Sequence, residues 1–302
     1  MSDTTDPSLA FTLPVQLTKT IHRQPYPFIL PENNRQDGKI VLITGGGTGI
    51  GAAAAQVWVR AGAEGVVIAG RRQEKLDETA SSLKSASAGT KILTVKTDIT
   101  ISGDVEKLFS KIKETFGRTA DVVLANAGWS EAGTAGEHPV DKWWKIYEIN
   151  VKGVYATIHH FIRSQSDPAT PTGTIVVVGS AASALVLPGL SAYSTSKFVG
   201  QRIVDFIDRE YPTLRVFDLL PGVVVTPMMG ETYRPLAKDH PDLVGMVSLW
   251  LAQPRADFLS GQLVSVNWDL EAMEAHAKEI SEKNMLRLQY LPILPVAGGS
   301  GI

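Results

Sequence analysis

Tyr193 and Lys197 stand four residues apart in a stretch of helical spacing. That places a phenol and an ammonium on one helix face, one turn apart. An ammonium beside a phenol favours the phenolate and lowers its pKa from about 10. A tyrosine tuned in this way trades protons with an alcohol or a carbonyl near neutral pH. Ser180 lies thirteen residues before Tyr193, at the carboxyl end of the apolar run 174–179. Taken singly, each has a plainer reading. Y-x-x-x-K is a common pattern, a serine past a strand is often a turn or helix cap, and a lysine on a helix is often a surface charge.

A second group of residues suits phosphate. The run Thr44-Gly45-Gly46-Gly47-Thr48-Gly49-Ile50-Gly51 follows an apolar strand and precedes a helix. Glycines at such a turn let the backbone approach a pyrophosphate, which the helix N-terminus stabilises. The strict G-x-G-x-x-G spacing is not met, because Ile50 takes the place of its last glycine. A Walker A reading fails because Ala52 and Ala53 follow Gly51. A second apolar run ends at Gly70 and is followed by Arg71 and Arg72. In a dinucleotide fold this strand end meets the adenosine ribose. An acid there binds the 2′-hydroxyl of NAD, whereas arginine clamps a 2′-phosphate bidentately. The acid is missing here, so the residues favour NADP(H) over NAD(H); the plain alternative is a solvated, basic helix start.

The elements that must position these groups repeat as apolar run and amphipathic stretch. The runs are 39–44, 66–70, 91–96, 121–125, 174–179, 215–220 and 263–267, short, rich in β-branched residues and almost continuous. Strands buried on both faces read this way. Helical spacing fills 50–62, 72–85, 103–116, roughly 139–164, and 192–211. Seven strands alternating with helices predict a doubly wound, parallel α/β sheet of the Rossmann type, in a single domain over 38–269. Residues 1–37, rich in Pro and Thr, read as an N-terminal extension that is extended or lies across the surface. Residues 270–302 read as a C-terminal tail that starts as a charged helix and ends in an apolar, Pro/Gly-containing stretch able to dock on the body or a partner.

Composition narrows the classes. The chain has 302 residues, 44% hydrophobic and 20% charged, which excludes global disorder. A net charge of −2 without long runs of one sign argues against a nucleic-acid or polybasic membrane binder. With no cysteine there is no thiolate nucleophile or disulfide framework, which suits a reducing compartment, and a cytoplasmic location is expected. The N-terminus lacks the charged and apolar regions of a signal peptide, and glycine, serine and proline break the apolar stretch 174–193. G-x-S-x-G is absent, and the adjacent His159 and His160 point about 100° apart on a helix, so neither a serine hydrolase nor a zinc site is read. Those histidines, with Trp143 and Trp144, are assigned to packing or surface, while Trp129 is as apt to face a pocket as not.

With these residues in order, the chain resembles the short-chain dehydrogenase/reductase family over about residues 38–268. The glycine turn matches the family's TGxxxGxG, and Asp98 matches an aspartate that contacts adenine. Asn126-Ala127-Gly128 matches its NAG, and Asn150 in EINVKG resembles its helix asparagine. Ser180, Tyr193 and Lys197 match its catalytic set, and Pro221-Gly222 with Thr226 resembles its nicotinamide segment. The resemblance implies that Thr44, Gly45, Thr48, Gly49, Ile50, Gly51, Arg71, Arg72, Asp98, Asn126, Ala127, Gly128, Tyr193, Lys197, Pro221, Gly222 and Thr226 hold NADP(H). It also implies hydride transfer between nicotinamide and a carbonyl or alcohol. Tyr193 then acts as the proton donor, Ser180 as partner of the same oxygen, Lys197 as the group that lowers the Tyr193 pKa and holds the ribose, and Asn150 as the end of a water-linked relay. A homodimer through the helices of about 139–164 and 192–211 is expected by the same resemblance. Leu185, Val186, Met228, Met229 and Tyr233, with a substrate loop over 227–242, suggest an apolar substrate. Gly179 stands where many members have serine. Asn267-Trp268-Asp269 replaces the family's closing Asp-Gly-Gly, so its C-terminal tetramer packing does not carry over. The rival readings are a non-redox enzyme on this scaffold (isomerase, lyase or cyclase) and a nucleotide-sensing binding protein.

Overall fold

The strands are continuous apolar runs because both of their faces are covered. In the computed structural model, which describes residues 6–86, 89–283 and 285–288, β1 (Ile40–Thr44) is buried at every position. Its Val41 and Ile43 enter one apolar cluster, its Ile40 and Leu42 the other. β2 (Gly65–Gly70), β3 (Lys91–Lys96), β4 (Val122–Ala125), β5 (Gly173–Val178), β6 (Leu214–Leu220) and β7 (Gln262–Ser265) complete one sheet in the order β3-β2-β1-β4-β5-β6-β7. Every pairing is parallel. The order reverses between β1 and β4, and the crevice beyond the carboxyl ends of such strands is where open α/β sheets bind ligands.

On one face lie α1 (Gly49–Arg60), α2 (Gln73–Ala86) and α7 (Leu243–Leu251), whose Trp58, Leu76 and Val247 share a cluster with β1 and β2. The other face carries α3 (Ser102–Phe116), α5 (Gly153–Arg163) and α6 (Ser191–Glu210), through Leu108, Phe161 and Val204. α4 (Val140–Tyr147) continues into α5 through a π-helical turn, Glu148–Lys152. The doubly wound parallel sheet is therefore as the periodicity predicts. α7 carries no periodic signal in the sequence: all nine of its residues are buried, so there is no polar face to alternate with.

The terminal segments are knitted into the body. Four 3₁₀ turns punctuate residues 6–37, and Ile29 in the third is fully buried in the core, so this segment does more than cross the surface. Ile21 forms an antiparallel bridge with Trp268. The charged helix expected after Asp269 is two short ones, α8 (Leu270–Ala275) and α9 (Ala277–Lys283), because His276 leaves helical backbone angles. Asp269 caps the first by accepting from the Ala272 N–H at 3.1 Å. The apolar end of the tail, 289–302, falls outside the described residues.

Candidate active site

The glycine turn runs from the carboxyl end of β1 into α1, against the carboxyl end of β4. Thr44 is buried under it, and its hydroxyl accepts from the Asn126 and Ala127 N–H groups, both at 3.1 Å. The Asn126 side chain donates to the Thr44 carbonyl at 2.9 Å. Gly51 is packed behind the turn: a Cβ there would collide with the Gly45 carbonyl and stand 2.7 Å from Asn126 Nδ2. These contacts hold the turn down on the strand ends while Gly45, Gly47 and Gly49 face a cleft of about 530 Å³ bare of side chains.

The cleft gathers most of the expected residues. Its wall includes Gly45, Thr48, Gly49, Ile50, Arg71, Arg72, Asp98, Asn126, Ala127, Gly128, Tyr193, Lys197, Pro221 and Thr226. Thr44, Gly51, Asn150, Ser180 and Gly222 stand behind or beside that wall rather than in it. Arg71 and Arg72 are exposed and make no side-chain hydrogen bond or ion pair among the described residues. Burial pushes the Asp98 carboxyl up, but hydrogen bonds from the Thr100 N–H (2.9 Å) and hydroxyl (2.8 Å), aided by Arg71, bring it below the usual carboxylate range.

Lys197 enters from the first turns of α6. It is buried, and its Nζ donates to the Val178 carbonyl at 2.7 Å and lies 5.9 Å from the centre of the Tyr193 ring. Burial pushes its pKa down to about 8, with Asp218 acting the other way. Tyr193 does not behave as its spacing suggests. Burial pushes the phenol up and the Ser180 hydroxyl opposes that, while the Lys197 ammonium is engaged by the Val178 carbonyl. Ser180 also caps the short turn that follows it, accepting from the Ala182 N–H at 3.2 Å.

Asn150 occupies the π-helical turn, a feature frequent at functional sites. Its amide is fully engaged. Oδ1 accepts from the Trp129 N–H (2.8 Å), and Nδ2 donates to the Trp129 carbonyl and to Ser196 Oγ (both 2.9 Å). Ser196 in turn donates to the Tyr193 carbonyl at 2.7 Å. The asparagine thus ties the loop after β4 to the helix that carries Tyr193 and Lys197.

Trp129 lines the cleft, while the Trp143, Trp144 and Tyr147 rings stack along α4 away from it. Of the apolar residues expected around the substrate, Met228 alone is on the wall. Val186 is 98% exposed, and Tyr233 packs edge-on against Phe11 with centroids 5.9 Å apart. Lys75 and Thr97 are wall residues that motif reading missed. Lys75 stands in the first turn of α2, just after the two arginines.

The comparisons agree with the geometry. A short chain dehydrogenase family model matches residues 39–236. The chain is 34% identical over 286 residues to short chain dehydrogenase andI of Emericella variicolor, covering 88% of this chain and 93% of that protein. Against short chain dehydrogenase citE of Monascus ruber it is 30% identical over 295 residues, covering 94% and 98%. Among solved structures, a short-chain type dehydrogenase/reductase from Mycobacterium marinum superposes with a TM-score of 0.72 at 24% identity, covering 78% of this chain and 96% of that one. Levodione reductase gives 0.71 at 22%, covering 79% and 99%.

An open parallel α/β sheet with a glycine-lined cleft at its switch point defines a Rossmann-type protein. More narrowly, the chain belongs to the short chain dehydrogenase family, whose members use nicotinamide cofactors. The glycine-bare turn and the polar groups around it fit such a dinucleotide.

Proposed function

We propose that the protein is an NADP(H)-dependent oxidoreductase that interconverts a ketone and a secondary alcohol on a small, apolar molecule. One observation carries the reading: a single cleft wall holds Tyr193 and Lys197 together with Arg71 and Arg72, two exposed cations whose side chains make no hydrogen bond or ion pair among the described residues. Arg71 and Arg72 clamp the 2′-phosphate, the glycine turn and the α1 N-terminus take the pyrophosphate, and Asp98, Asn126, Pro221 and Thr226 flank the rest. When bound, the nicotinamide supplies or accepts hydride at the substrate carbon.

The protein's own groups manage charge on the oxygen. Tyr193 donates its proton as alkoxide character develops, and Ser180 hydrogen-bonds the same oxygen, so both interactions strengthen towards the transition state. A phenol held high by burial keeps its proton until that charge appears. Lys197 holds the ribose, its ammonium anchored on the Val178 carbonyl. Asn150 fixes the loop and helix relative to each other through Trp129 and Ser196, and by the family resemblance it ends the relay behind Lys197. Trp129 and Met228 give the substrate side of the wall its apolar character. Exposed Tyr155, Phe198 and Phe206 on α5 and α6 suit a homodimer through those helices.

Titration with NADPH and, separately, NADH, followed by nicotinamide fluorescence, tests the assignment. NADPH is expected to bind at least about tenfold tighter, a difference of roughly 1.4 kcal/mol, and Arg71→Ala with Arg72→Ala to erase the preference. Equal or tighter NADH binding refutes the cofactor, and binding of neither refutes the enzyme.

A further inference from the structure

Asp218 lies in the middle of the apolar run of β6, fully buried, and neither carboxyl oxygen has a hydrogen-bond partner among the described residues. A bare buried carboxylate is costly, and the usual outcomes are neutralisation or an opposite charge. Strand alternation puts Asp218 on the face of Leu214 and Val216, which packs with Val204 and Ile207 of α6. Its neighbours across the sheet, Val177 on β5 and Leu263 on β7, are apolar. The charged groups it faces both come from α6: Lys197 and, one helix stretch further on, Asp205.

Gly179 admits the carboxyl. A Cβ at 179 would stand 2.8 Å from Asp218 Cγ, so a serine or alanine there would displace the acid. The preceding carbonyl, Val178 O, receives the Lys197 ammonium at 2.7 Å. Carboxyl and ammonium thus flank the same strand end, where β5 turns towards Ser180. Burial raises the Asp218 pKa to about 7, with Lys197 pulling it down and Asp205 pushing it up; burial lowers Lys197 to about 8, with Asp218 opposing.

We propose that Asp218 is a positioning residue for Lys197: admitted by Gly179, its carboxylate is the counter-charge that holds the buried lysine as an ammonium on the catalytic wall. The proposal rests on the reductase reading of the cleft for its consequence in catalysis, while the placing of carboxyl and ammonium at one strand end rests on the Gly179 and Val178 contacts. Valine at 218 would fill the strand equally well but would leave the ammonium desolvated with only a carbonyl for company.

Protein carrying ¹³C at the aspartate carboxyl carbons is titrated by NMR, the Asp218 resonance being the one lost in Asp218→Asn, or in Asp218→Ser should the amide variant not fold. The expected midpoint lies well above the ordinary carboxylate value of about 4, and moves up by about one pH unit or more in Lys197→Met. A midpoint in the ordinary range, or one that Lys197→Met leaves unmoved, overturns the pair. In Asp218→Asn the alkaline limb of kcat/KM is expected to move down by about half a pH unit or more, roughly a threefold loss on that limb, since removing a negative neighbour lowers the lysine pKa. An unmoved limb in a folded variant overturns the positioning role. The NMR midpoints need no turnover, so an absence of NADPH-dependent activity in the native protein refutes the reductase reading while the charge pair is still decided.

Discussion

Replacing Arg23 by alanine removes the pin that fastens the N-terminal segment to the loop after β6. Arg23 Nε donates to Asp239 Oδ1 at 2.7 Å, Nη1 to Ser8 Oγ at 2.6 Å and Nη2 to the Leu236 carbonyl at 3.4 Å. The Asp239 side chain is wholly buried, and that of Arg23 is 18% exposed. Breaking a fully buried pair costs about 3–5 kcal/mol, because one charge is left without its partner. Two features reduce that here: Asp239 keeps donors in the Val223 N–H (2.5 Å) and Asn267 Nδ2 (3.1 Å), and Arg23 retains some water. A loss of about 2–3 kcal/mol is therefore expected for Arg23→Ala in urea unfolding. Asp239→Asn in the alanine background should recover part of it by removing the stranded charge, and faster limited proteolysis is expected within 227–242. A loss below about 0.5 kcal/mol, the ordinary effect of a surface substitution, with an unchanged cleavage rate, would refute the view that this contact braces the loop.

Tyr193→Phe should lower turnover by about 10²–10⁴ while nucleotide affinity is kept, and preserved turnover would remove the phenol from the chemistry. Gly51→Ala forces a methyl onto the Gly45 carbonyl and Asn126, so nucleotide affinity should fall at least about tenfold; native affinity in a folded variant would mean that the turn tolerates lifting. The kcat/KM profile should fall as pH rises through about 8, because Lys197 loses its proton there, and a flat profile to pH 10 would place its ammonium elsewhere than on the catalytic path.

The frame was legible because two-sided burial writes itself into sequence. Runs such as Ile40–Thr44 and Gly173–Val178 are unbroken where both faces pack, and glycine, serine and asparagine mark the strand ends where a ligand can approach. α7 was not legible for the converse reason: Leu243–Leu251 is buried all round, and an apolar nonamer carries no period. Spacing places Lys197 beside Tyr193 but does not set the protonation state of the phenol. Four residues on a helix bring a lysine near a tyrosine, but the Val178 carbonyl decides where the ammonium points. Asp218 looks like an interruption in an apolar run, and its meaning depends on a glycine thirty-nine residues earlier in the chain.

The closing residues Asn267-Trp268-Asp269 show how a departure from the family's pattern acquires its physical sense. Each of them is committed to the N-terminal segment: Asn267 Nδ2 donates to the His22 carbonyl at 2.9 Å, Trp268 Nε1 to the Val15 carbonyl at 2.8 Å, and the Asp269 N–H to Thr18 Oγ1 at 3.0 Å. Glycine at 268 would lose the indole bond to Val15, and glycine at 269 would keep its N–H but lose the carboxylate that caps α8. Asn267 also reaches Asp239, so the end of the sheet, the N-terminal segment and the loop beside Pro221-Gly222 share one buried hydrogen-bonded node. A buried network of this kind has all of its members satisfied or becomes a liability. The extension and the altered closing triplet are therefore one device. It sets the position of residues 221–240, the segment that carries Pro221, Thr226 and Met228 onto the cleft wall.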